Sequence, residues 1–509
     1  MDHYLFDPDF SDEKQLRKWT EETREKYVIE FKKASGGLPG SFWESYSSFC
    51  NTSGGWIVFG VTENTPKNEI VGVSKADKII TDLWTDLSNP QKVSYRVIEN
   101  QDIKTHDFPE GTVIYVYVRE ASDKMKPVYL KGNVDYSWIR TGDGDRKATK
   151  EQIAAMQRNA QPDQDGLVAE KYTLDDLDTD SLIVFREIVS KRYPSKKYLE
   201  MTQEEFLTEI GACVRDREDS SLKVRRGTVL FLGKINSIKE LYPHYHLDFF
   251  NRRGQNDRWT DRVTDDEPGD YEPNIFNFYR LVYAKIEALL QESFRVDGPY
   301  QLRMPLSEFG LSIRECLVNC LAHADYMQGY PSTKIDVFDG WFRFVNPGKM
   351  LISKQQFLAG GDSRPRNEIV MKLFRLLGAS ERQGFGGPLI FKTAKRNDFR
   401  TPELITDLEH TEISVWNIDL ADSYPNLEQD EKDVLRYVVK SKEPCTVKEI
   451  YKSLGLTEYR TRKILEKLEG VLIQKVGKGK ATRYTRSEGS VEELTAQQIA
   501  VDEYRKNLS

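Results

Sequence analysis

The sequence predicts a multidomain chain of α/β (α+β) class, and three observations carry that prediction. From Tyr27 to Lys32 apolar and polar letters alternate with the period of a half-buried strand, and a helical pattern and an apolar run follow at once. Between Leu311 and Tyr326 apolar residues recur at Ile313, Leu317 and Leu321, one face of a helix, ahead of the hairpin-like KIDVFDGWFRFVNPG. Residues 432–486 hold 15 Lys+Arg against 6 Asp+Glu, a balance of +9 in a chain of net charge −7, so the remainder carries −16.

A chain of 509 residues has room for about three or four domains, each with its own core. Hydrophobic content of 39% with 30% charged residues is that of a folded protein rather than a disordered one. No apolar run approaches the ~18 residues of a membrane span. The start, MDHYLFDPDFSDE, lacks the basic-then-apolar profile of a signal peptide. Five cysteines without a CxxC pair point to a reduced, cytoplasmic protein with no structural zinc. The expected division is 1–160, a connecting region 161–298, a third domain 299–424, a basic module 425–487 and a tail 488–509.

The opening domain centres on ETREKYVIEFKKA. In the alternating strand Glu30 and Lys32 share the polar face, and Glu25 is expected at the end of a helix begun near Ser11. A helix over 40–51 breaks at Thr52-Ser53-Gly54-Gly55; the apolar strand Trp56–Val61 then delivers Glu63, and Ile70–Val73 follows. Glu25, Glu30 and Glu63 can thus converge with Lys32 at one end of a sheet. Hard oxygen ligands for Mg²⁺ or Mn²⁺, with a cation to orient water or meet developing charge, are what phosphodiester cleavage needs. Downstream, Thr112–Val118 reads as a buried strand, Lys126–Thr149 as strand, turn, strand and basic loop, and EQIAAMQRNA as a closing helix before the linker Gln161–Gly166.

EFKKA, FWESYSSFCNTSGGWIVFGVTEN and IVGV together resemble the Schlafen AlbA-type domain. In the nuclease members of that family three acidic residues form an RNA-cleaving, metal-dependent site, and the resemblance places them at Glu25, Glu30 and Glu63. The third is Glu where many relatives carry Asp. Arg140-Thr141-Gly142 is similar to the family's Arg-x-Gly, and Arg140, Arg146 and Lys147 are expected to meet a phosphate backbone.

The connecting region shows no catalytic signal. It predicts helices over Asp178–Arg192, Gln203–Ile210 and Asn274–Glu292, a strand Gly227–Gly233, and a charged loop Asn251–Asp270 that neutralises itself. In the helix of the third domain Glu315 and Asn319, four apart, lie one turn above each other, and Cys316 and Cys320 are small core residues. Glu-x-x-x-Asn sets a water-activating carboxylate beside an amide able to hold Mg²⁺. A Gly-rich turn, ERQGFGGPLI, opens a further helix whose amides suit a triphosphate. The order resembles the divergent ATPase domain of the gyrase/histidine-kinase/MutL superfamily (GHKL) found behind Schlafen AlbA-type domains. By that resemblance Glu315 is the general base and Asn319 the Mg²⁺ ligand; Gly384, Gly386 and Gly387 form the phosphate loop, and Asn346-Pro347-Gly348 replaces the Asp-x-Gly adenine box. His323 and Asp325 match the family's His-x-Asp-Tyr.

Residues 428–486 read as a winged helix: three helices, the last capped by Thr457, then a two-stranded wing around Gly477–Lys480. Arg460, Arg462 and Lys463 on the third helix, with Lys478, Lys480 and Arg483 on the wing, are expected at a nucleic-acid face. The expected partners are RNA or DNA and a nucleotide, in a homo-oligomer away from membranes; Mg²⁺ or Mn²⁺ and ATP are the expected cofactors. The function expected is a metal-dependent endoribonuclease, acting on RNA of transfer-RNA type in stress or phage defence and regulated by the nucleotide pocket. The alternative is an ATP-responsive DNA-binding transcriptional regulator without nuclease activity.

Overall fold

The protein is described from a computed structural model that covers residues 7–487 except 26, 143, 162–163, 255–257, 268, 294–307, 362, 381–383, 425, 442, 471 and 478. The expected tail 488–509 and Lys478 lie outside the described residues, as does the side chain of Lys480. The architecture is mixed α/β, as the sequence predicts, and divides into two compact units, 1–162 and 163–505.

The first unit runs α1 (Glu13–Glu22), β1 (Ile29–Lys32), α2 (Phe42–Asn51), β2 (Gly55–Phe59), β3 (Val61–Thr62), β4 (Glu69–Ile70), α3 (Ala76–Leu87), β5 (Ile103–Phe108), β6 (Gly111–Val118), β7 (Trp138–Thr141), β8 (Gly144–Lys147) and α4 (Lys150–Ala160). Its main sheet has the order β1-β2-β6-β5, with β1 parallel to β2 and the other pairs antiparallel. Alternation sorts the strands. Ile57 and Phe59 pack with Phe42, Phe49 and Leu83 on one face, while Ile29, Phe31, Trp56 and Val58 pack with Leu16 on the other.

Three local expectations change here. The opening helix stops at Glu22, so Glu25 sits in the loop before β1. The Asn68 amide takes the Thr20 and Thr23 carbonyls at 3.0 and 2.5 Å, ending the helix. The run Trp56–Val61 is not one strand: Gly60, at φ +88°, turns the chain so that β3 leaves the sheet and pairs with β4. Of Ile70–Val73, only Ile70 lies in a ladder, and Val73 makes a single bridge to Thr112.

The turn after α2 demands its glycines. A Cβ on Gly54 (φ +70°) would stand 2.7 Å from the Val118 carbonyl, and one on Gly55 2.5 Å from that of Val28. The buried Asn51 just before this turn holds the neighbouring hairpin. Its amide donates to the Val128 and Trp138 carbonyls at 2.9 Å each and accepts from the Val128 N–H at 2.7 Å. Thr52 Oγ1 accepts from the Arg140 N–H at 2.9 Å, so α2 sets the height of β7.

The second unit continues with α5 (Thr179–Arg192), α6 (Gln203–Glu209), β9 (Cys213–Arg215), β10 (Leu222–Val224), α7 (Arg226–Leu232), α8 (Ile235–Leu241), β11 (Leu247–Asn251), β12 (Asp261–Thr264), α9 (Ile275–Ser293) and α10 (Glu308–His323). Then come β13 (Thr333–Phe338), β14 (Trp341–Pro347), α11 (Lys354–Ala359), α12 (Glu368–Leu377), α13 (Gly386–Arg396), β15 (Glu403–Thr406) and β16 (His410–Trp416). One six-stranded sheet, β12-β11-β13-β14-β16-β15, and one apolar core from Ala169 to Val415 serve both the connecting region and the third domain. Cys316 and Cys320 are buried in that core.

The predicted strand Gly227–Gly233 is the helix α7, buried from Gly227 to Leu232. A short unbroken apolar run has no period by which to tell the two apart. The expected linker also carries a structural residue: Asp165 is fully buried, and its Oδ2 accepts from the Ile369 and Val370 amides at 2.9 and 3.0 Å, capping the first turn of α12. The charged stretch is not a loop throughout, since β12 lies within it, and its arginines pair mostly outside it: Arg252 with Asp336 of β13 at 2.7 Å and Arg262 with Asp248 of β11 at 2.8 Å, with Glu267 at 2.8 Å from within.

The chain ends its described part with α14 (Gln429–Lys440), α15 (Val447–Leu454), α16 (Glu458–Leu468), β17 (Ile473–Val476) and β18 (Arg483–Arg486), gathered around a separate small core. Thr457 caps α16, accepting from the Arg460 N–H at 3.2 Å, and Gly455 closes α15 in the left-handed region.

Candidate functional site

At the β1 edge of the first sheet four carboxylates and two cations meet. Glu30 Oε1 takes the Lys32 ammonium at 3.0 Å, and its Oε2 takes the Arg140 guanidinium at 2.7 Å. Arg140 also donates to Asp145 at 2.9 Å and to the Ile29 carbonyl at 3.1 Å, and its side chain is only 1% exposed. Asp145 in turn accepts from Ser45 at 2.6 Å and from Ser48, both on α2. Arg140 is therefore an internal clamp across β1, β7 and β8, not the phosphate contact its basic loop suggested. Register decides this, because Arg140 pairs with Asp145 across the β7–β8 hairpin while Ile139 pairs with Arg146. Arg146 and Lys147 remain exposed, and Lys147 lies 4.8 Å from the ring centre of Tyr136, as does Lys131.

Glu25 and Glu63 complete the group. Glu25 Oε1 accepts from the Phe31 N–H at 2.9 Å, and Glu63 Oε1 from the Glu25 N–H at 3.2 Å. Burial raises the Glu25 carboxyl above its usual range, against the Phe31 amide; the charges of Glu30 and Glu63 push the same way and Arg140 opposes. The three predicted carboxylates thus lie within electrostatic reach of one another. They do not each place an oxygen within 4.8 Å of the others.

Among the described residues the acidic group that comes that close is His246, Asp265 and Asp266 in the second unit. Its imidazole is already engaged on both nitrogens, Nδ1 by Asp265 at 2.7 Å and Nε2 by Asp248 at 2.8 Å, and Lys239 meets Asp265 at 2.9 Å. Hydrogen bonds to Asp248 and Asp265 push the imidazole up to about 10 from 6.5. The cluster is a charge-paired brace rather than a ligand set, and no sequence pattern announced it. Since its folded pKa exceeds the unfolded one, the brace contributes fully below about pH 6.5 and is lost as pH rises through about 10. Melting of the parent and of His246→Gln is expected to differ more at about pH 6 than at about pH 10.5; an equal difference at both would contradict the charged brace.

The second predicted site is a cavity of about 1410 Å³ lined by Glu315, Asn319, Asn346, Gly384, Gly386 and Gly387. The sequence-predicted nucleotide residues therefore share one space, with the exception of Gly348. Its backbone is spent on the Glu409 and Thr411 contacts beside the β14–β16 pairing, and a Cβ there would meet the Arg366 guanidinium and Asp325 Cβ at 3.0 Å each. On α10 the Asn319 amide donates to Glu315 Oε1 at 3.2 Å. The Glu315 carboxylate lies against Gly386 in the first turn of α13, where a Cβ would meet Oε1 at 2.4 Å. A Cβ on Gly387 would meet the Phe357 carbonyl at 1.9 Å, so α11 and α13 approach only through glycine. Asn346 Nδ2 donates to the Pro347 carbonyl at 3.2 Å, which leaves the amide oxygen as its acceptor. His323, also in the cavity wall, is held down to about 4 by burial and Arg366, so it is neutral near pH 7. Asp325 accepts from the Met327 N–H at 3.2 Å, a turn contact.

On α16, Arg460 pairs with Glu428 and with Asp430 at 3.4 Å, and Arg462 with Glu458 at 2.7 Å. Lys463 covers the ring of Tyr459, which is 69% exposed. Arg483 donates to the Pro444 carbonyl at 3.3 Å.

Two of these regions match known family models. Residues 25–149 match the family model "Schlafen, AlbA_2", and 332–415 match "Putative ATP-dependent DNA helicase recG C-terminal". Residues 154–248 match a domain of unknown function, DUF8451. The first match includes Glu25, Glu30, Glu63 and Arg140; the second includes Asn346 and the three loop glycines but begins after Glu315 and Asn319. No match to a curated protein was found. Two solved structures are similar. The DIP2311 protein from Corynebacterium diphtheriae is 17% identical, covering 92% of this chain and 80% of that one, with a TM-score of 0.39. The N-terminal domain of a "Putative ATP-dependent DNA Helicase RecG-related Protein" from Nitrosomonas europaea is 26% identical, covering 25% and 85%, with a TM-score of 0.19. Neither superposes well enough to carry an argument. No helix among the described residues is long and apolar enough to cross a membrane.

Proposed function

We propose that the chain is a nucleic-acid-processing protein whose acidic site cleaves RNA with a divalent cation, under control of a nucleotide held in the cavity of the second unit. The observation that carries the first part is charge: Glu25, Glu30, Glu63 and Asp145 against Lys32 and Arg140 leave two negative charges, which one Mg²⁺ or Mn²⁺ balances. The residues fit such an ion. Glu25 and Glu63 each spend one carboxylate oxygen on a backbone amide and keep the other, and Mg²⁺ commonly takes one or two carboxylates with waters and substrate phosphate. The bound ion would supply Lewis-acid stabilisation of the phosphodiester. Glu30, fixed by Arg140, holds the Lys32 ammonium beside the site, where it can meet charge developing on a phosphate oxygen. Exposed Arg146 and Lys147 can carry the strand.

In the cavity Glu315 would activate water, Asn319 would help hold Mg²⁺, the first turn of α13 would receive phosphates, and the Asn346 amide oxygen would accept from the adenine amino group of ATP. We read α14–α16 with the β17–β18 hairpin as a winged helix that binds nucleic acid, with Tyr459, Arg462 and Lys463 facing outward. The ion pairs of Arg460 and Arg462 are exposed ones that a phosphate can replace at little cost.

A second reading has one observation in its favour: both oxygens of Glu30 are occupied by cations. In that reading the first unit only binds, and the protein is an ATP-responsive DNA-binding regulator. Incubating the full chain with total RNA and Mn²⁺ separates the two. Cleavage stopped by chelation supports the nuclease; intact RNA with a sequence-specific DNA mobility shift supports the regulator. For the cavity, Glu315→Ala is expected to keep ATP binding within about threefold and to lower turnover about a hundredfold or more. Equal turnover in variant and parent removes Glu315 from that role.

A further inference from the structure

The cavity is larger than the roughly 300–1,000 Å³ that small-ligand pockets usually occupy, at about 1410 Å³, and it is lined far more heavily by cations than by carboxylates. The nucleotide reading uses α10, α13 and β14. A further wall comes from elements that reading leaves idle: Arg192 from α5, and Lys372 and Arg375 from α12. Arg314 and Lys392 add to it. Among the described residues none of these five makes an ion pair, whereas the carboxylates in the wall are Glu315 and Glu368 alone.

Such a cluster is costly without a ligand. Lys372 and Arg375 lie three apart on one helix, where like charges repel. Burial, with the charges of Arg225 and Arg375, holds the Lys372 ammonium below the usual lysine range. The Arg192 guanidinium reaches to Gly378 at the end of the same helix. Other arginines of this unit meet carboxylates, as Arg252 and Arg343 meet Asp336, or carbonyls, as Arg186 meets that of Tyr198 at 2.9 Å. Cations without carboxylate partners along one concave wall are an arrangement that receives phosphate oxygens.

We propose that Arg192, Lys372 and Arg375 form a phosphate site additional to the one at α13, so that the cavity takes more phosphate groups than a nucleoside triphosphate carries. The proposal rests on the nucleotide reading of the α13 turn. The additional phosphates belong either to the same nucleotide, phosphorylated at both its 3′ and 5′ positions, or to a separate inorganic polyphosphate chain.

The test is calorimetric titration of the full chain with ATP, with adenosine 3′-phosphate 5′-triphosphate and with inorganic tripolyphosphate. It uses the parent, Arg192→Ala/Arg375→Ala and Lys372→Gln, each checked for an unchanged melting profile. Tripolyphosphate is expected to bind the parent and to bind both variants at least tenfold more weakly, while ATP changes less than threefold. Tripolyphosphate that still titrates into the ATP-saturated parent assigns the phosphates to a separate molecule. A doubly phosphorylated nucleotide that binds tenfold tighter than ATP, with the gain lost in the variants, assigns them to one. Tripolyphosphate affinity within twofold of the parent in both variants, or no tripolyphosphate binding at all, overturns the site. Loss of ATP binding alone, with the tripolyphosphate effect intact, removes the nucleotide reading and leaves the anion site standing.

Discussion

Glu63→Gln is expected to lower Mn²⁺-dependent RNA cleavage about a hundredfold or more while leaving the stability of the first unit unchanged. Glu63 is exposed, its one described contact is with the Glu25 N–H at 3.2 Å, and glutamine keeps the oxygen that makes it. What glutamine removes is one of the two uncompensated negative charges and one free metal ligand. Glu30→Ala is expected to abolish cleavage as well, but it also leaves Lys32 without its carboxylate and Arg140 with Asp145 alone, so it mixes chemistry with structure. Rates measured with both variants across a range of Mn²⁺ concentrations distinguish the two effects. Recovery of Glu63→Gln at high Mn²⁺ marks a weakened ligand. Cleavage by Glu63→Gln at the parent rate at every Mn²⁺ concentration would exclude Glu63 from the site.

Arg140→Ala is expected to destabilise the first unit by about 3 kcal/mol, because it leaves partly buried Asp145 with only the Ser45 and Ser48 hydroxyls and Glu30 with Lys32 alone. Glu30 and Asp145 have 15% and 13% exposed side chains, so water replaces little of the lost interaction. With a total stability of about 5–15 kcal/mol for a typical domain, the variant sits near the threshold of folding. Arg140→Lys is expected to recover part of the loss, since it restores the charge but not the fork that reaches Glu30, Asp145 and the Ile29 carbonyl together. Hydrogen exchange of the β1 and β7 amides reads the effect on the full chain. Protection unchanged within about 0.5 kcal/mol would show that the clamp is not structural. A phosphate-contacting Arg140, as the basic loop suggested, would instead weaken nucleic-acid binding without touching stability.

Much of this architecture follows from local pattern. The alternation at Ile29–Lys32 specifies β1 and puts Glu30 and Lys32 on one face, because side chains on a strand repeat every second residue. The stripe Ile313, Leu317, Leu321 specifies α10 and leaves Glu315 and Asn319 on the flank that lines the cavity. Thr457 and Gly455 mark helix ends by capping chemistry alone. The places where pattern fails share a cause. α7 is buried from Gly227 to Leu232, so its letters show no period; Asp165 looks like a linker residue until the α12 amides that it caps are brought to it from two hundred positions away.

The sequence by itself determined which residue types were available and which stretch of chain each occupies: the three glutamates and the lysine around β1, the Glu-x-x-x-Asn helix, the glycine turn before α13 and the basic C-terminal module. Tertiary structure alone decided what those residues meet. It turned Arg140 inward to share Glu30 and Asp145, braced His246 between Asp248 of β11 and Asp265 just after β12, and drew α5 and α12 into the wall of the cavity. The physical reason is range. Periodicity and capping act over a few residues along the chain, whereas a charge is neutralised or stranded by whatever the fold places within a few ångströms of it, however distant in sequence.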